Sequence, residues 1–214
     1  MRPIDPQFRG VSERTQANFT SPFICSKGAA YRYVLDYARF YDLPTVVLRP
    51  DTVAGPRQFE NDRQGWVAHT VYSVLEGRPV TVDGSGLQVC DVLHVGDLVN
   101  ALMAARDFRA VTAGNAYNIG GGASNTVSVN EMISLIERVC HRPARVRHSH
   151  QGLEGRLFYM ADSSAFVANT GWLVRRSLVQ TVRDVAAFWH ANQAQAPPAP
   201  HPMGQPRHTY RRAA

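Results

Sequence analysis

Residues 26–48 join a helical repeat directly to an unbroken apolar run, and that junction leaves few folds open. Ala29, Ala30, Tyr33, Val34, Tyr37, Ala38 and Tyr41 recur at helical spacing, which predicts a helix over 26–41 that ends at Asp42. Pro44 then introduces Thr45-Val46-Val47-Leu48, four apolar or β-branched residues with no alternation. Alternation marks a strand with one wet face, so its absence predicts a strand covered on both faces, as in a parallel sheet. A helix followed closely by a buried strand is the pattern of an α/β fold.

The rest of the chain continues in that pattern. Arg49 to Gln64, broken by Pro50, Gly55 and Pro56, reads as a loop. A helix is expected from Gly65 to Glu76, stopped by Gly77. Strands are expected at Pro79–Val82 and Gln88–Val95, separated by the tight turn Asp83-Gly84-Ser85-Gly86. Asp97 is placed to cap a helix running to about Arg106. Ala116–Ile119 reads as a buried strand stopped by Gly120-Gly121-Gly122. Ser128 with Glu131 three residues on matches a capping box, opening a helix through Val139. Short strands near Arg145–Arg147 and Phe158–Ala161, then helices at Ser164–Asn169 and Leu178–Ala191, complete the reading.

Composition excludes several classes. Hydrophobic residues at 44% and charged residues at 19% fit a folded globular chain. No apolar stretch approaches the roughly 18 residues of a membrane span, and the first ten residues lack the apolar block of a secretory signal. Cys25, Cys90 and Cys140 lie far apart without metal-ligand spacing, which predicts reduced thiols in a cytoplasmic protein. The net charge of +6 raises nucleic acid as a partner. Arg207, Arg211 and Arg212 in the tail carry about half of it, so a solvated face with a basic tail explains the excess without one. His148 and His150 alternate on an expected strand but have no third ligand in view, so no metal site is expected.

Gly120-Gly121-Gly122 follows a strand, yet the next helix begins several residues later. No G-x-G-x-x-G or G-K-[ST] motif occurs anywhere. A tight turn leaving a sheet is the better reading of that run.

Several segments taken in order carry a resemblance: Ser21-Pro22-Phe23-Ile24-Cys25-Ser26-Lys27-Gly28-Ala29-Ala30; Leu48-Arg49-Pro50 through Gly55-Pro56-Arg57-Gln58; Gln64-Gly65-Trp66-Val67; Gly84 through Val95; and Asn118-Ile119-Gly120-Gly121. Over about residues 2–192 the chain resembles the extended short-chain dehydrogenases of the NAD-dependent epimerase/dehydratase type. Asp5-Pro6-Gln7-Phe8-Arg9-Gly10 and Arg57-Gln58-Phe59 are similar to the CDP-sugar 2-epimerases within it. The resemblance implies a doubly wound, Rossmann-like NAD-binding sheet with a smaller α+β domain for a nucleotide sugar. Members oxidise a sugar carbon with NAD and return the hydride to the other face. A tyrosine phenolate serves as base, its pKa lowered by a lysine one helical turn away.

Here the lysine position is Lys27, which would also hold the cofactor ribose, and the tyrosine position is Phe23, whose ring cannot exchange a proton. The expected site set is Lys27 and Thr52 for NAD, and Arg57, Gln64, Trp66, Val82, Gln88, Cys90 and Arg156 for a CDP-hexose. Cys90 stands where the family usually has an arginine for the substrate diphosphate, Ala54 where it has a tyrosine, and Leu157 in the register of a second arginine that Arg156 would replace. The expectation is therefore a partial doubly wound sheet lacking its N-terminal strands. An irregular segment at 1–20, the family region at 21–193 and a disordered basic tail at 194–214 make up the chain. Alone, it is expected to bind NAD poorly and to be inactive. A separate N-terminal half, or a second copy at the open sheet edge, is the expected partner. The alternative is a non-catalytic binding or regulatory module.

Overall fold

Ser21 opens the first helix. Its hydroxyl accepts from the Ile24 N–H at 3.3 Å and Pro22 occupies the first helical position, where a missing N–H costs nothing. Helix α1 therefore spans Pro22–Tyr41, four residues longer at its start than the periodicity alone indicated, and Asp42 closes it in the left-handed conformation. The computed structural model describes residues 10–15, 21–58, 65–149 and 158–192. The expected tail at 194–214 lies outside these residues, as does most of the 1–20 segment.

The strands follow as β1 (Val47–Arg49), β2 (Thr52–Ala54), β3 (Pro79–Asp83), β4 (Val89–His94), β5 (Ala116–Asn118), β6 (Thr126–Ser128) and β7 (Arg145–Ser149). The remaining helices are α2 (Trp66–Glu76), α3 (Val95–Asp107), α4 (Arg109–Thr112), α5 (Val129–Cys140), α6 (Ser164–Thr170) and α7 (Leu178–Asn192). β1 pairs in parallel with β5, Leu48 opposite Tyr117. β4 lies between β2, parallel, and β6, antiparallel, and β3 pairs in parallel with β7. The α/β reading holds, and the sheets are partial.

Several expectations are corrected. The 49–64 segment holds strand β2, because the backbone between Pro50 and Gly55 stays extended long enough to add to β4. β1 is half-buried rather than covered on both faces, since among the described residues β5 is its one strand neighbour. Phe158–Ala161 makes isolated bridges to Val89 and Val11 instead of a strand. Asp97 does not cap α3. His94 does, its Nδ1 accepting from the Gly96 N–H at 2.9 Å. Asp97 is fully buried one turn in, where its carboxylate takes the backbone N–H groups of Arg175 and Arg176 and pairs with the Arg176 guanidinium at 2.7 Å. The capping box is present as expected: the Ser128 hydroxyl accepts from the Glu131 N–H, and the Glu131 carboxylate accepts from the Ser128 N–H at 2.8 Å.

Two apolar cores result. In the larger, Val67, Val71 and Val74 of α2 meet Met132, Ile133 and Ile136 of α5 and Val182 and Val185 of α7, over Val80 and Val82 of β3. Tyr72 stacks on Trp189 with ring centroids 4.5 Å apart. The smaller core gathers Leu93, Ala101, Tyr117, Ile119, Phe166 and Trp172 beneath α3 and α6. No described helix is long and apolar enough to cross a membrane.

Candidate functional site

Strand alternation and helix phase bring five of the candidate residues to one cavity of about 280 Å³. β3 turns Val80 and Val82 inward while Pro79, Thr81 and Asp83 stay exposed. β2 supplies Thr52, and Gln88 and Cys90 come from the adjacent start of β4. The first turn of α2 adds Trp66 and His69, held by the left-handed Gly65 that precedes the helix. Thr52, Trp66, Val82, Gln88 and Cys90 thus converge, although they span nearly forty positions of sequence.

Asp51, His69 and Tyr159 are among the lining residues that were not singled out from sequence as site residues. His69 sits three positions along the helix from Trp66, a spacing that could have flagged it. Tyr159 arrives from far along the chain, its N–H donating to the Val89 carbonyl at 2.9 Å, and no local pattern announces it.

The Gln88 amide donates to the Asp83 carbonyl at 3.2 Å, and its own side-chain oxygen is buried without a hydrogen-bond partner. Burial pushes the Cys90 thiol up to about 11; a hydrogen bond with Thr52 opposes this, and the charges of Asp51 and Asp91 add to it. Cys90 is therefore a neutral thiol at ordinary pH. Next to it, Asp91 is fully buried, and its carboxyl is pushed up to about 6, chiefly by burial. The Ala161 N–H donates to it at 2.9 Å.

Outside the cavity, Lys27 and Phe23 lie one helical turn apart on the exposed side of α1, with the Lys27 ammonium 5.4 Å from the Phe23 ring centroid. The spacing expected of a catalytic pair is present, with a phenyl ring as one member. Arg57 is exposed with φ of 69° and is not among the cavity residues. Gln64 and Arg156 lie outside the described residues. Cys25, Cys90 and Cys140 are all thiols, and no metal-binding cluster occurs among the described residues.

Two of the three glycines are consumed by packing. A Cβ on Gly120 would fall 1.8 Å from the Asp91 carboxylate, and one on Gly121 would fall 2.1 Å from the Val92 carbonyl. These glycines let the turn press against β4 and present no cradle to a phosphate. Lys27, which the family resemblance assigns to a cofactor ribose, is exposed on α1, and the turn at Gly120 and Gly121 leaves no room for a dinucleotide diphosphate.

Residues 3–120 match the NAD dependent epimerase/dehydratase family. Over 168 residues the chain is 41% identical to CDP-paratose 2-epimerase of Salmonella typhi, a stretch that is 76% of this chain and 50% of that protein. The chain spans about half the length of the curated relatives it matches. Among solved structures, MoeE5 in complex with UDP-glucuronic acid and NAD superposes with a TM-score of 0.76 at 26% identity, covering 86% of this chain and 60% of that one. UDP-glucuronic acid 4-epimerase from Bacillus cereus, in complex with UDP-glucuronic acid and NAD, gives 0.76 at 24% identity over 85% and 56%, a likeness of fold.

Proposed function

The chain belongs to the NAD dependent epimerase/dehydratase family, and from that premise we propose that it supplies the nucleotide-sugar half of an NAD-dependent epimerase acting on a CDP-linked hexose. The observation that carries this is the convergence of Thr52, Trp66, Val82, Gln88 and Cys90 on one cavity. In this reading Trp66, Val82 and Gln88 hold the nucleoside end of the substrate. Thr52 faces the same cavity as the substrate residues, and Lys27 alone is left for the cofactor.

By itself the chain does not turn over. NAD, when bound, supplies hydride chemistry, but that chemistry needs a group to take the sugar hydroxyl proton, and Phe23 cannot. Cys25 does not replace it, because two positions along a helix turn it from the face that Phe23 and Lys27 share. Completion by an NAD-binding half is supported by the open side of α1, where Phe23, Tyr33, Tyr37, Phe40 and Tyr41 are exposed. An apolar helix face of that extent is a docking surface by default.

The test has two stages. Titrated alone, the chain gives no saturable heat with NAD, and a micromolar dissociation constant would overturn this part of the reading. Joined to a compatible NAD-binding half, the chain carrying Phe23→Tyr epimerises a CDP-hexose faster than the chain with Phe23 by about 10²–10⁴, the usual worth of a general acid–base group. Equal rates would mean that position 23 does not face the reacting hydroxyl.

A further inference from the structure

β4 feeds both cores from consecutive residues, Val92 to the larger and Leu93 to the smaller, and His94 ends the strand at the joint between them. The imidazole is buried, and its two nitrogens face different helices. Nδ1 accepts from the Gly96 N–H at 2.9 Å, which caps α3 on the smaller core. Nε2 lies 3.2 Å from Oδ2 of Asp184 on α7, a helix of the larger core. That approach is close enough for attraction, though off the line of a hydrogen bond. The other Asp184 oxygen accepts from the Gln180 amide at 2.6 Å, so the carboxylate is anchored within its own helix. Two further charges act on the ring, Asp97 of α3 and Arg176 just before α7, and they pair with each other at 2.7 Å.

These contacts fix where the ring carries its proton. A nitrogen that accepts holds no hydrogen, so the neutral ring keeps its proton on Nε2, toward the carboxylate. A second proton can go only to Nδ1, where two N–H groups would then face each other. We infer that protonation moves His94 from one helix to the other: the imidazolium gives up the cap of α3 and tightens on Asp184 of α7. The joint between the two cores is therefore sensitive to acid, and it yields on the α3 side alone. The backbone N–H groups of Arg175 and Arg176 keep their hold, because the Asp97 carboxylate that accepts from them takes no part in the exchange. Burial, and after it Arg176, hold the ring below the usual histidine range, while Asp184 and Asp97 pull it upward. The exchange accordingly falls on the acid side of neutrality.

Nitrogen-15 spectra of the full chain, with amide hydrogen exchange followed from about pH 8 to about pH 5, test this across the histidine range. At the upper end the His94 ring is expected to carry its proton on Nε2. As the ring protonates, the Gly96 amide should lose at least about tenfold in protection, corrected for the intrinsic exchange rate, while the Arg176 amide changes by less than about threefold. His94→Asn keeps a side-chain acceptor for the cap and has no proton to gain, so Gly96 protection should then stay flat. Asp91 titrates in both chains and drops out of the comparison. Should that variant fail to fold, the ring spectrum and the Gly96 amide of the unaltered chain decide. A proton on Nδ1 at about pH 8 would overturn the inference. So would Gly96 protection that holds while the ring protonates, an equal loss in the variant, or a ring that stays neutral until the whole chain unfolds.

Discussion

Helices α1 and α2 teach opposite lessons about what an apolar sequence achieves. α2 buries eight of its eleven residues, and α1 buries two of its twenty. Both carry aromatic and aliphatic side chains around more than one face, so sequence periodicity does not separate them. Their surroundings do. α2 is enclosed by β3, α5 and α7, whereas α1 rests on β1, a strand with one neighbour among the described residues. A large exposed aromatic face marks a surface where something docks. The α2 side is a finished core, and the α1 side leaves an aromatic face exposed.

The largest expected effect attacks the finished side. Ile136 of α5 is fully buried between α2 and α7. Ile136→Ala should cost about 2–5 kcal/mol in denaturant unfolding, the range for deleting a buried aliphatic side chain. A cost below about 1 kcal/mol would mean that this core is loosely packed, and the contrast with α1 would dissolve.

Next comes the strand between the cores. Asp91 has a carboxyl raised to about 6, so the folded state holds its proton more tightly than the unfolded chain does. Its contribution is therefore fully present below the ordinary carboxylate range and is lost as pH rises toward about 6. The loss is at most about 3 kcal/mol, from roughly two pKa units at 1.36 kcal/mol each. Asp91→Asn keeps an acceptor for the Ala161 N–H and removes the titration. Measured from pH 4 to pH 7, the unaltered chain should lose stability relative to the variant. A gain would show that the ionised carboxylate is the favoured form. Glu131, whose carboxyl is held below the usual range by its hydrogen bonds to Ser128, acts in the opposite direction and cancels in the difference.

A smaller effect belongs to the Ser128 cap of α5. Ser128→Ala removes the acceptor for the Glu131 N–H and should cost about 1 kcal/mol in unfolding. No loss would mean that packing on α2 and α7, rather than the cap, sets where α5 begins.

That capping box was legible because all its parts lie within four residues, and the same holds for Gly77 closing α2 and for the Phe23–Lys27 spacing. What escaped the sequence was non-local. Thr52-Val53-Ala54 is too short a run, set between Pro50 and Gly55, to read as a strand, and it is one only because β4 lies beside it. Asp97 looked like a cap because Asp often is. Its carboxylate is instead claimed by Arg175 and Arg176, nearly eighty positions later, which leaves the cap to His94. The cavity divides in the same way. The family pattern marked Thr52, Trp66, Val82, Gln88 and Cys90, while Asp51 and Tyr159 became visible only once β2 and β4 and the backbone after residue 158 were in place.

The smallest expected change in stability falls on α1, and it is the sharpest test of the comparison. Phe40 is 78% exposed near the end of the helix. If that face is open in solution, Phe40→Ser removes no packing, and unfolding should shift by no more than about 0.5 kcal/mol, as for an ordinary surface site. The same substitution should reduce self-association and the binding of an apolar dye, since both draw on the exposed aromatic face. Sedimentation of the unaltered chain and the variant at matched concentration, beside their unfolding curves, separates the two quantities. A cost of 2 kcal/mol or more, in the range of buried aromatic sites, would mean that Phe40 is already covered in solution. α1 would then have its second layer after all, and the side that looks unfinished would be an interface in use.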